Sequence, residues 1–98
     1  MEHTLTMVDA LGIAYQNVRG LKGVVGIGKL YTRMEDGGEV YKAPLLVKSG
    51  DRTIDMVGMS EITMSDSGKI LKVPTQEELD RDVDDIMSRM PDKRKITS

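Results

Sequence analysis

The chain has 98 residues, 39% of them apolar, and a formal net charge of −2, which fits one globular domain burying roughly 60–65% of its unfolded surface. It has no cysteine and one histidine, His3, so disulfides, thiolate nucleophiles, cysteine zinc sites, His-based triads and multi-His metal sites are excluded together. The weakly acidic balance supplies no global field toward nucleic acid or membrane, and a core with no Phe or Trp, filled by eight Met, is thin enough that oligomerisation is one way to bury more surface.

The opening stretch MEHTLTMVDALG carries acids where a signal peptide carries bases, and no apolar run reaches the roughly 18 residues of a membrane span. An intracellular, cytoplasmic protein with no membrane partner is therefore expected. Thr4 or Thr6 caps a first helix running to about Val18, because Met7, Leu11, Ala14 and Val18 fall on one helical stripe. Gly12 weakens that helix, and Gly20 and Gly23 stop it.

Runs rich in Val, Ile, Leu and Tyr follow, separated by the turn clusters EDGG, SGDR and SDSG. They predict strands over 23–34, 39–48, 53–65 and 69–73. With two-residue loops at Asp36-Gly37, Gly50-Asp51 and Ser67-Gly68, three separate hairpins collect one apolar face: Val24, Gly26, Gly28, Leu30, Tyr41, Ala43, Leu45, Val47, Ile54, Met56, Ile62, Met64, Leu71 and Val73. In this register Gly26 and Gly28 stand opposite Val47 and Leu45, and Gly28→Val would crowd the core. Pro44 lacks a ladder donor and predicts a bulge or break in the second strand, while Gly58 bends the third.

The last helix has the strongest local signature. PTQEELDRDVDDIMSRMP opens with a capping box, Thr75 and Glu78, carries acids in its first turn, and spaces Leu79, Val83, Ile86 and Met90 along one stripe up to Pro91. Residues 92–98 form a flexible basic tail behind a single domain over 1–91. The predicted architecture is a two-layer α+β domain, an antiparallel four-stranded meander with an N-terminal and a C-terminal helix on its apolar face.

Four motifs invite functional readings. GVVGIGKL, residues 23–30, spells seven of the eight positions of a phosphate loop, but Leu30 stands where Mg²⁺ needs a hydroxyl, and a helix precedes the glycines where one should follow. It reads as a glycine-rich strand. RGLKG contains the G-x-x-G of a backbone clamp that joins two helices in KH modules, yet VVGIGKLY is a poor helix. The acids of the last helix, Asp80 and Asp84 included, lack a loop to wrap a cation and read as a solvated face. The tail bases Lys93, Arg94 and Lys95 read as solubilising. No catalytic, cofactor or metal residue is assigned, and no nucleophile–base pair can be placed.

The opposite sheet face mixes charge with Ile27, Tyr31, Leu46, Val57 and Met59; in the expected register Ile27 neighbours Leu46 and Val57 neighbours Pro44. An apolar cluster on an open face marks an association site. The sequence thus points to a small non-enzymatic interaction domain, binding a second copy or another protein through those five residues. The alternative is nucleic-acid binding through Lys29, Arg33, Lys42 and Lys48, with Lys22 and Arg94 assisting; a nucleotide-binding protein using Lys29 ranks third.

Overall fold

A single long strand, β3 (Gly38–Ser49), organises the molecule, and every other sheet element except one pairs with it directly. The computed structural model describes residues 5–35 and 37–89. In chain order it contains α1 (Met7–Gln16), β1 (Val24–Ile27), β2 (Tyr31–Glu35), β3, β4 (Arg52–Asp55), β5 (Glu61–Ser65), β6 (Ile70–Lys72) and α2 (Gln76–Arg89). β1 and β2 lie along one side of β3, β4 and β5 along the other, and β6 continues outward from β5, all antiparallel. The α+β class, the meander order and the terminal helices agree with the sequence. The predicted four strands have become six because the first and the third each break in two.

The cause of one break is Pro44. The expected bulge or break in the second strand does not occur, since β3 runs through Pro44 without interruption. Instead, the Gly28 amide donates to the Pro44 carbonyl (2.7 Å), and Pro44 has no N–H to return. The ladder lapses there, between Ile27 and Tyr31. On the other side β4 stops at Asp55, and a tight turn over 56–60 carries Gly58 at φ 80°, as its expected bend requires. In the β4 register Pro44 would face Val57; it faces Glu61, four residues further on. An even shift keeps Ile62 and Met64 on the core side, and both are fully buried.

The two-residue hairpin registers hold where the loops are close. Tyr31↔Lys42 to Glu35↔Gly38 and Leu46↔Asp55 to Ser49↔Arg52 match the expected loops; Asp36 itself lies outside the described residues. Further along, β1 has slipped. Ile27 faces Leu45 and Gly26 faces Leu46, with a bulge between Val24 and Gly26. Gly28 consequently leaves the apolar face, and a Cβ on it would meet the Asp55 carboxylate at 3.2 Å rather than the core. A second irregularity in β5–β6 pairs Met64 with Ile70, so Leu71 is turned outward and 51% exposed.

The core gathers Tyr41, Ala43, Leu45 and Val47 of β3, Ile54, Met56, Ile62 and Met64 from its neighbours, and Ala10, Ala14 and Val18 from the N-terminal segment. α1 is capped by Thr6, whose Oγ1 accepts from the Asp9 amide (3.1 Å). The Tyr41 hydroxyl donates to the Leu5 carbonyl (2.7 Å) and ties the start of this helix to the sheet. Ala10 and Ala14 face inward; Met7, expected in the core stripe, does not.

The capping box of α2 forms as predicted, with the Glu78 amide donating to Thr75 Oγ1 (3.1 Å) and the Thr75 amide to Glu78 Oε1 (3.0 Å). Leu79 is buried in the shared core, and Val83, Ile86 and Met87 pack half-buried against it. Met90 and the tail over 92–98 lie outside the described residues. One flank of α2 leans over the opposite sheet face: Glu78 and Asp82 line a small hollow with Lys42, Thr63 and Lys72. No helix among the described residues is long and apolar enough to cross a membrane.

Candidate functional site

Two surfaces hold the residues that could act on something outside the chain. The first is the polar sheet face. Cross-strand pairing places Tyr31, Lys42, Thr63 and Lys72 in one row across β2, β3, β5 and β6. Lys42 is 13% exposed, and its Nζ reaches Glu35 (3.0 Å) and donates to Thr63 Oγ1 (2.9 Å). Arg33 turns to the same Glu35 (3.7 Å). The Tyr31 hydroxyl donates to Glu61, whose carboxylate also accepts from the Gly58 amide (2.9 Å). Desolvation, followed by the hydrogen bond and charge of Glu61, pushes the Tyr31 phenol up to about 12.

This row runs into the hollow beneath α2, about 90 Å³ in volume. The nearly inaccessible Ser60 hydroxyl donates to Asp82 there (2.8 Å). Glu78 at its mouth is held below the ordinary carboxylate range by the Thr75 amide first and by Lys72 second. Among the described residues, no buried side-chain polar atom lacks a hydrogen-bond partner, and no cluster of three carboxylate or imidazole groups could hold a metal ion. The groups on this face bind one another.

The second surface is apolar. β1 is a sheet edge, and α1 lies along it with Ala10 and Ala14 inward and Met7, Val8 and Tyr15 outward. Val8 is 79% exposed. Between these side chains and the 28–30 link runs a groove of about 480 Å³, floored by Leu11, Ile27 and Leu30. Beyond Tyr15 it adjoins a second hollow bordered by Gly12, Arg19 and exposed Val25. Four of the exposed apolar side chains (Met7, Val8, Tyr15 and Val25) are gathered there, where scattered single ones would be ordinary.

The five residues expected to bind a partner do not form one patch. Ile27 is 8% exposed: the β1 slip rotates it into the core, and it becomes the floor of the apolar groove. Leu46 is half-buried opposite Gly26. Val57 and Met59 are exposed on the 56–60 turn, Val57 no longer beside Pro44, and Tyr31 is linked to that turn only through Glu61. The four proposed nucleic-acid contacts are also divided. Arg33 and Lys42 converge on Glu35, Lys29 sits at the apolar groove, and Lys48 borders a different hollow with Asp80 and Asp84.

The phosphate-loop near-match becomes a turn at Gly23 (φ 91°), strand β1 and a link into strand β2. The Gly28 amide, which a phosphate would need, is spent on Pro44. The outward side of α1 is hidden in the sequence, because the helical stripe puts Met7 in the core. Its signal was present: a ten-residue helix with one charge, Asp9, and apolar residues on two sides. No known family matches the chain, and neither a curated protein nor a solved structure is similar to it.

Proposed function

We propose that this protein is a small non-enzymatic interaction domain that self-associates, and that its contact face is the apolar groove between α1 and the β1–β2 link. The observation that carries this reading is the gathering of exposed Met7, Val8 and Tyr15 around a groove floored by Leu11, Ile27 and Leu30. The thin core gives a further motive, since association removes apolar surface that folding leaves in water. A non-catalytic role is supported by the absence of cysteine and by the single histidine at position 3.

Light scattering at tens of micromolar tests the reading. The wild-type chain is expected at twice its 10.8 kDa mass or more, falling on dilution. Val8→Lys is expected to give a monomer with unchanged circular dichroism, because Val8 contributes little to the fold. A wild-type chain that stays monomeric sinks the proposal.

A further inference from the structure

Gly12 raises a question that the fold does not answer. It stands in the middle of α1, where glycine is a poorer helix former than alanine. Its φ does not lie in the left-handed region, and a Cβ built on it would meet nothing within 4 Å. Neither backbone conformation nor intramolecular packing requires a glycine there.

Helical geometry places Gly12 on the outward side with Val8 four residues before and Gln16 four after, while Met7, Leu11 and Tyr15 make the neighbouring row. The apolar row is a ridge. The Val8–Gly12–Gln16 row beside it is a furrow, notched at its centre by the missing side chain. Ridges of the i±4 kind pack into such furrows on a second helix. A surface carrying both is complementary to itself, which is the requirement for a two-fold contact.

Charge favours the same arrangement. Asp9 in the first turn is the only charged residue of α1, and Arg19 lies just beyond its end. Two copies crossing in opposite directions bring each Asp9 toward the partner's basic end and oppose the two helix dipoles. No like charges meet at the centre.

We infer that the occupant of this face is a second copy of the chain, with α1 crossing its two-fold mate at Gly12. This rests on the self-association reading and adds its geometry. Met7 and Tyr15 of each protomer enter the furrow of the other, and Val8 seals the groove above Ile27.

Two variants test the crossing. Gly12→Leu has open space within its own chain, so it retains the fold; at a dilution where the wild type is monomeric its Tm rises by several degrees, up to about 8 °C. At tens of micromolar it is expected to be monomeric. The chain has no cysteine, so Gly12→Cys supplies the only thiol. With a copper–phenanthroline oxidant it is expected to form a disulfide-linked dimer far faster than Glu77→Cys on α2, since bridging needs Cα atoms within about 7 Å. A Gly12→Leu chain that keeps the dimer mass, or a Gly12→Cys chain that crosslinks no faster than Glu77→Cys, overturns the inference. If Val8→Lys still dissociates the dimer in that case, self-association through the groove stands and only the crossing at Gly12 fails. A monomeric wild type removes both.

Discussion

The outer side of α1 and the polar face of the sheet differ in one physical respect, and it outweighs their composition. The polar face is rich in groups that resemble a binding site: two lysines, an arginine, a tyrosine, buried hydroxyls and four carboxylates. Yet Lys42 and Arg33 share Glu35, Tyr31 is held by Glu61, and Ser60 by Asp82. The α1 face has one charge, Asp9, and its Met7, Val8 and Tyr15 side chains stand exposed to water. What marks a candidate site is a group left without a partner, whether that group is polar or apolar.

The largest test of this contrast lies directly beneath the groove. Ile27→Lys places a charge in the core and is expected to cost about 4 kcal/mol or more, read as a collapse of the urea midpoint. Val8→Lys, a short distance above it, is expected to stay within about 0.5 kcal/mol of wild type when monomers are compared. Equal effects at the two positions would erase the distinction between floor and rim.

On the polar face, Glu35→Gln is expected to cost about 1–2 kcal/mol by removing the charge paired with part-buried Lys42. It is also expected to increase retention on a polyanion column, because Arg33 and Lys42 lose their shared anion. Unchanged stability and retention would mean that the face is not self-neutralised. Thr75→Ala removes the cap of α2 and is expected to cost about 1 kcal/mol in chemical denaturation.

The smallest expected effect is the titration of Tyr31. Its folded phenol is raised above the ordinary value of 10.0 to about 12, so its contribution to stability is full below pH 10 and is lost as pH rises toward 12. A phenolate absorbance step near pH 12 is expected, and Tyr31→Phe should remove it. Persistence of that step in the variant would mean that Tyr31 is not the raised phenol.

The fold was legible wherever the deciding interactions are local. The capping box of Thr75 and Glu78 closes within four residues, the loops after Glu35 and Ser49 set their own registers, and alternation along β3 sorts Ala43, Leu45 and Val47 inward. The candidate site was hardly legible. The local register puts Ile27 on the opposite face from the one it takes, because a one-residue slip reverses every side chain of a strand, and that slip arises between Gly28 and Pro44, sixteen residues apart in the chain.

By itself, then, the sequence determined the α+β class, the antiparallel order, both helices and the absence of cysteine. These follow from periodicity, turn chemistry and composition, which act over a few residues or none. Only the tertiary structure decided that Pro44 would leave β3 whole and break its neighbour, that Glu35 would consume two cations, and that α1 would keep Val8 and Tyr15 in water. Each of those outcomes depends on which distant group arrives opposite, and a linear pattern does not contain that information.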